Sequence, residues 1–181
     1  MDRKKFFLAG ASGLSGLLLA HGPLTRIRGA AGRLVSEPSN QQQDPEPYKI
    51  ELVKEFVIAG HGDLSKCQSM VKDYPNLVFS KFDWGNGDFE AAIEGAGHVG
   101  DKGIAQFLVD AGSRVTLFVL ATLGRGDLVK PVLEAYPSLI FAHGPHGFTL
   151  LHHAKVAGKE GEDLYAYLQQ KGLTEDWVKI K

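Results

Sequence analysis

Two short blocks of this sequence each occur twice at nearly the same distance, and that limits the fold more than any other feature. AGHGDL (59–64) returns as LGRGDL (123–128), and YPNLVF (74–79) returns as YPSLIF (136–141). The offsets, 64 and 62 residues, are twice a period of about 32. An intermediate unit, GHVGDKGIAQFLVDAG (97–112), and a fourth, FTLLHHAKVAGKEGEDLYAYLQQKG (148–172), complete the series. Apolar residues recur at helical spacing within each unit. Leu52, Val53, Phe56 and Val57 mark a first helix, and Ile104, Phe107 and Leu108, or Leu164, Tyr167 and Leu168, mark a second. A Gly-containing turn separates the two, and Asp63 or Asp127 stands where an N-cap belongs. A lone helix pair cannot bury both apolar stripes, whereas stacked pairs can. The expected fold is therefore all-α, about four degenerate helix–turn–helix units over residues 48–181.

The last unit carries a more specific motif. GFTLLHHA (147–154) resembles the ankyrin-repeat pattern Gly-x-Thr-Pro-Leu-His-x-Ala: Gly147, Thr149, Leu151, His152 and Ala154 match, and Leu150 replaces the proline. AGHVG (96–100) resembles the inter-helix turn, and LVDAG (108–112) the end of a second helix. The block 83–129 is similar to a segment of uncharacterised bacterial ankyrin-repeat proteins. The resemblance covers 48–172 and implies an ankyrin-repeat solenoid. It also implies turn-forming roles for Gly147, Thr149 and His152, with the His152 ring bonded to backbone in the turn that opens its helix. Such stacks bind other proteins through finger loops and a concave face. Here that implies a non-catalytic interaction module in the bacterial envelope, a monomer with an unidentified protein partner. Its candidate contacts are Phe82, Asp83, Trp84, Asn86, His143 and His146. The rival role for Phe82 and Trp84 is to cap the apolar seam between the first two units.

The units are irregular. Second helices are expected to start near Leu64, Ile104, Leu128 and Leu164, at intervals of 40, 24 and 36 residues. The short interval implies that no finger loop separates the second and third units. VTLFVLATL (115–123) favours a strand by propensity, but its place in the series makes it a buried first helix. Pro131 is expected in the first turn or so of the third unit's second helix, where it disturbs little.

The N-terminus reads as an address. Charged residues precede an apolar run from Phe6 to Ala20, about 15 residues, which suits a signal peptide and is short for a membrane span. Arg3-Lys4-Lys5-Phe6-Phe7 resembles a twin-arginine signal with Lys4 in place of the second arginine, so twin-arginine and general secretory routes both stay open. Residues 1–31 are assigned to this signal and 32–47, rich in Pro and Gln, to a disordered linker. The expected location is periplasmic or secreted, the alternative being a membrane tether by an uncleaved N-terminus. Six of the 20 basic and one of the 21 acidic residues fall in 1–33, which leaves 34–181 with a net charge of −6. An acidic body without a basic patch argues against nucleic-acid binding. No other apolar run is long enough to span a membrane.

Chemistry is sparse. Cys67, the single cysteine, excludes an internal disulfide and reads as a buried apolar residue. Four histidines crowd 143–153, but His152 and His153 point about 100° apart on a helix. No carboxylate or cysteine lies between Tyr136 and Gly158 to assist His143 and His146, so no metal site is expected. Gly95-x-Gly97-x-x-Gly100 mimics a dinucleotide-binding turn, and an oxidoreductase using that segment (95–100) is the alternative function. Against it stand Glu90 and Glu94 where a buried strand would be apolar, and the lack of an acid closing RVTLFVLATLGRG. No catalytic residue and no cofactor are expected. Acid pairs such as Glu51/Glu55 and Glu162/Asp163 read as solvated helix faces.

Overall fold

The structure is a computed structural model that describes residues 45–180. The expected signal, and the linker up to residue 44, lie outside the described residues. The described part is mostly helical, with one small hairpin and two isolated β-bridges, His143 to Thr149 and Phe148 to Trp177. The elements are α1 (Ile50–Ala59), α2 (Leu64–Asp73), β1 (Phe82–Asp83), β2 (Phe89–Glu90), α3 (Ala92–Val99), α4 (Lys102–Asp110), α5 (Leu117–Thr122), α6 (Gly126–Ala135), α7 (Leu150–Val156) and α8 (Glu162–Gln170). Short 3-10 turns cover Pro75–Phe79, Pro137–Phe141, Pro145–Gly147 and Gly158–Gly161. The strands pair antiparallel, Phe82 opposite Glu90 and Asp83 opposite Phe89.

The two duplicated blocks take duplicate shapes. Asp63 caps α2 by accepting the Lys66 N–H at 2.9 Å. YPNLVF and YPSLIF both end a helix at Tyr and continue as a 3-10 turn that begins at Pro. The helices pack in series: α3 lies against α1 and α5, and α5 against α7, while α2 touches α4 and α6 touches α8. Two apolar cores result. Phe56, Val57, Cys67, Leu77, Ile93, Ile104 and Leu108 fill the first. Val129, Leu133, Leu150, Leu151, Leu164 and Leu168 fill the second. Helix α5 serves both, with Val119 in the first core and Ala121 in the second. Its β-branched residues thus fold as helix because burial on two sides outweighs their strand propensity. Between α4 and α5 there is no hairpin, in line with the short sequence interval.

Two local expectations need correction. Asp127 does not cap α6: the helix begins at Gly126, and the Asp127 carboxylate pairs instead with Arg125 at 2.9 and 2.8 Å. Its charge still sits in the first turn, where the helix dipole favours it. Asp101 supplies the unforeseen cap, on α4, accepting the Ile104 N–H at 2.9 Å. Pro131 stands sixth among the ten residues of α6. It is exposed, and the helix continues because Val129 and Leu133 anchor it on the core side. The glycines of the dinucleotide-like pattern lie within α3 or at its end, not in a loop after a buried strand. Their reason is packing. A Cβ on Gly95 would stand 2.7 Å from the His61 ring, and one on Gly97 would stand 3.3 Å from Val119.

Candidate metal centre

Four side chains from four separate segments point into one place: His61, Glu90, His98 and His146, each offering a ligand atom within 4.8 Å of the others. His61 sits in the tight turn between α1 and α2, and the missing Cβ of Gly95 lets its ring lie over α3. Glu90 ends β2, so the hairpin aims it inward, and its side chain is fully buried. His98 lies near the end of α3 with its side chain 10% exposed. His146 comes from the 3-10 turn at Pro145–Gly147, about 50 residues further along.

The inward atoms are imidazole Nε2 nitrogens and the two Glu90 carboxylate oxygens. His61 Nε2 lies 3.0 Å from His98 Nε2, His98 Nε2 lies 2.9 Å from Glu90 Oε1, and His61 Nε2 lies 3.4 Å from that oxygen. His146 Nε2 is 3.3 Å from Glu90 Oε2. Nitrogen and oxygen ligands about 2.1 Å from a zinc-class ion stand roughly 3.0 Å apart at octahedral angles and roughly 3.4 Å apart at tetrahedral ones. The separations among His61, His98 and Glu90, and that of His146 from Glu90, fall in that interval, and all four donors lie within 4.8 Å of one another.

Outer contacts fix the rings in the orientation a ligand needs. His61 Nδ1 donates to the Val57 carbonyl at 3.0 Å, so Nε2 faces the other donors and carries the lone pair whenever the ring is neutral. Asp88 holds His146 twice, accepting its backbone N–H at 2.9 Å and its ring Nδ1 at 2.7 Å. The Trp177 indole N–H donates to the His146 carbonyl at 2.6 Å. So restrained, His146 adopts φ 58°, a left-handed conformation unusual for a side-chain-bearing residue. The Trp84 indole N–H donates to Glu90 Oε2 at 2.7 Å, and its ring lies 5.8 Å from that of His146. The carbonyl behind His61 and the carboxylate behind His146 are the usual support of metal-ligating imidazoles. Burial would raise the pKa of Glu90, but hydrogen bonds from His61, His98 and Trp84 hold it well below the usual carboxylate range. The hydrogen bond to Glu90 in turn raises His61 above its ordinary 6.5.

Of the residues expected to contact a partner, Phe82, Trp84 and His146 come together, with the Phe82 and Trp84 rings 4.9 Å apart. Phe82 packs on the first core, and Trp84 keeps 36% of its surface exposed. Asp83 is exposed and accepts the Gly85 N–H at 2.8 Å, inside its own turn. Asn86 is at the hairpin tip with φ 56°. His143 stays apart, exposed, its Nδ1 within 3.0 Å of the Gly144 carbonyl.

The turn residues are structural, with partners other than those expected. Thr149 is buried and donates to the Glu175 carbonyl at 2.6 Å, and Gly147 approaches the Val178 carbonyl so closely that a Cβ would lie 1.9 Å from it. His152 bonds the His98 carbonyl at 2.8 Å, across to α3, instead of backbone in its own turn. Its ring stacks on Phe148, which stacks on His98. His153 is buried, 2.9 Å from the Thr122 hydroxyl.

The expectation of no metal site counted acids only along the chain near the last histidines. Folding delivers Glu90 and Asp88 from the hairpin to His146, which that count could not register. A signal existed: His61 follows the end of α1 and His98 stands just before the end of α3, and the packing of α3 against α1 brings these two helix ends together. No family model matches this chain, and neither does a curated protein or a solved structure.

Proposed function

We propose that this chain is an ankyrin-like helical stack that binds one divalent transition-metal ion through His61, Glu90, His98 and His146. The observation that carries this reading is the convergence of four side chains whose ligand atoms all lie within 4.8 Å of one another, with His61 Nε2, His98 Nε2 and Glu90 Oε1 mutually at 2.9–3.4 Å and His146 Nε2 at 3.3 Å from Glu90 Oε2. Imidazole with carboxylate suits the zinc-to-iron class and does not suit calcium or magnesium, which prefer all-oxygen shells. The function we propose is thus ligand binding. The setting we propose is export to the periplasm or beyond.

Equilibrium dialysis of the full chain against zinc tests this. One ion per chain is expected, with Glu90→Gln and His98→Gln each lowering affinity by about 100-fold or more. No binding, or binding that neither substitution weakens, overturns it.

A second reading, docking of a protein partner, draws on the exposed Trp84 beside the hairpin tip. Aromatic anchors of this kind dominate many interfaces. Under it, Trp84→Ala weakens partner binding and leaves helicity intact; unchanged affinity sinks it.

A further inference from the structure

The four donors do not surround the position they share. Glu90, fully buried, and His98, 10% exposed, form the floor, while the side chains of His61 and His146 keep 27% and 31% of their surface. Those two rings, with Ile58 and Trp84, line a cavity of about 240 Å³ that opens to solvent. Ile58 and Trp84 offer no ligand atom toward it: one is aliphatic, and the indole N–H of the other is already given to Glu90. The protein therefore supplies ligands from one side and an apolar pocket from the other. Sites closed by protein on all sides are structural, whereas sites that keep a position open take an exogenous ligand.

Charge selects the class of that ligand. A divalent ion with Glu90 as its one anionic ligand and three neutral imidazoles keeps a net charge of +1. Asp88 is directed at His146 and does not face the cavity wall formed by Ile58 and Trp84. The Lys54 ammonium lies 5.7 Å from the Trp84 ring centre, adding positive charge at that wall. An anionic oxygen donor fits the open position of a first shell at +1, which Asp88 offsets only from behind the His146 ring, and the Ile58 and Trp84 surfaces favour one with an apolar body.

Resting on the metal-binding reading above, we propose that the cavity binds a small carboxylic acid. Its carboxylate completes the metal's coordination, and its hydrocarbon part lies between Ile58 and Trp84. The affinity then has two separable sources, the metal for the carboxylate and the cavity for the hydrocarbon. Each methylene-sized unit of buried apolar surface adds about 0.8 kcal/mol, or about fourfold.

The test uses the full chain loaded with cobalt(II), whose visible absorption reports its coordination, titrated with benzoate and separately with acetate. The expected result is a saturable one-to-one spectral change with both acids, and benzoate at least about tenfold tighter. Ile58→Ser, which removes a half-exposed side chain and no metal ligand, should narrow that gap while leaving cobalt affinity unchanged. Cobalt that does not bind overturns the metal reading, and this inference with it. Cobalt that binds with a spectrum neither acid alters overturns this inference alone. Equal affinity for both acids overturns the apolar cavity as the place of binding.

Discussion

The Nε2 atoms of His61 and His98 face each other at 3.0 Å, although the two residues are 37 positions apart. His61 Nδ1 is committed to the Val57 carbonyl, so its Nε2 presents a lone pair unless the ring is charged. His98 Nε2 also meets Glu90, and His146 meets a carboxylate at each ring nitrogen, Asp88 on one side and Glu90 on the other. Contacts of this kind need positive charge among them, either protons on the rings or one metal ion. A divalent ion satisfies all four groups together, which is why the cluster reads as a metal centre rather than a set of separate ion pairs.

Asp88 is the supporting residue whose role is easiest to isolate. Asp88→Asn keeps an acceptor for the backbone N–H of His146 and removes the negative charge behind its ring. Metal affinity should fall by about 10- to 100-fold with little change in thermal stability of the metal-free protein. Competition against a coloured chelator measures this, and an unchanged affinity would remove His146 from the ligand set.

Trp84 makes the centre visible. The sequence has two tryptophans, Trp84 and Trp177, so Trp177→Phe leaves a single indole, bonded to Glu90, with metal affinity lowered by loss of the bond to the His146 carbonyl. Copper(II) or cobalt(II) should quench its fluorescence with a one-to-one endpoint, and excess zinc should reverse the quenching. Fluorescence that ignores the paramagnetic ion would mean that it binds elsewhere.

His153 gives the fold an acid sensitivity independent of the metal. Burial lowers its pKa from 6.5 to about 3. Between those values the unfolded chain takes up a proton that the folded chain refuses, so stability is complete above pH 6.5 and declines as pH falls towards 3. The slope from one such group is at most about 1.4 kcal/mol per pH unit. Denaturant melts at pH 7 and pH 5 should show the loss, and His153→Asn, destabilised at pH 7, should lose less between them. An equal loss in both proteins would assign the acid sensitivity to other groups.

Gly147 joins the turn to the C-terminal tail. Its φ is +82°, and a Cβ there would lie 1.9 Å from the Val178 carbonyl oxygen. Gly147→Ala should cost about 2 kcal/mol or more, combining left-handed strain with displacement of the tail. Displacing the tail also moves Trp177 away from the His146 carbonyl, so metal affinity should fall with stability. A thermal melt within a degree of wild type would contradict this account of the turn.

The helices were legible in the sequence because their signals are local. The stripe Leu52, Val53, Phe56, Val57, the Asp63 cap and the duplicated Tyr-Pro turns act over a few residues each. Even the ambiguous 115–123 segment was resolved by its place in the series. Asp127 and Pro131 were misplaced because a helix start shifts by two residues at little cost, and Arg125 offered Asp127 a better partner than a backbone N–H. The centre was harder to read because none of its pairings is local. Glu90 figures in the sequence only as an acid that spoils a buried strand, yet the hairpin turns it inward, where His61 and His98 compensate its burial. Gly95 and Gly97 mimicked a phosphate-binding turn because close helix packing and close phosphate approach both select residues without a Cβ.

X-ray absorption at the zinc edge of the loaded full chain tests the central claim most directly. The account predicts three imidazole nitrogens and carboxylate oxygen in the first shell at about 2.0–2.1 Å, with one imidazole lost in His146→Ala. A shell with fewer than two imidazoles, or one that His146→Ala leaves unchanged, would contradict it.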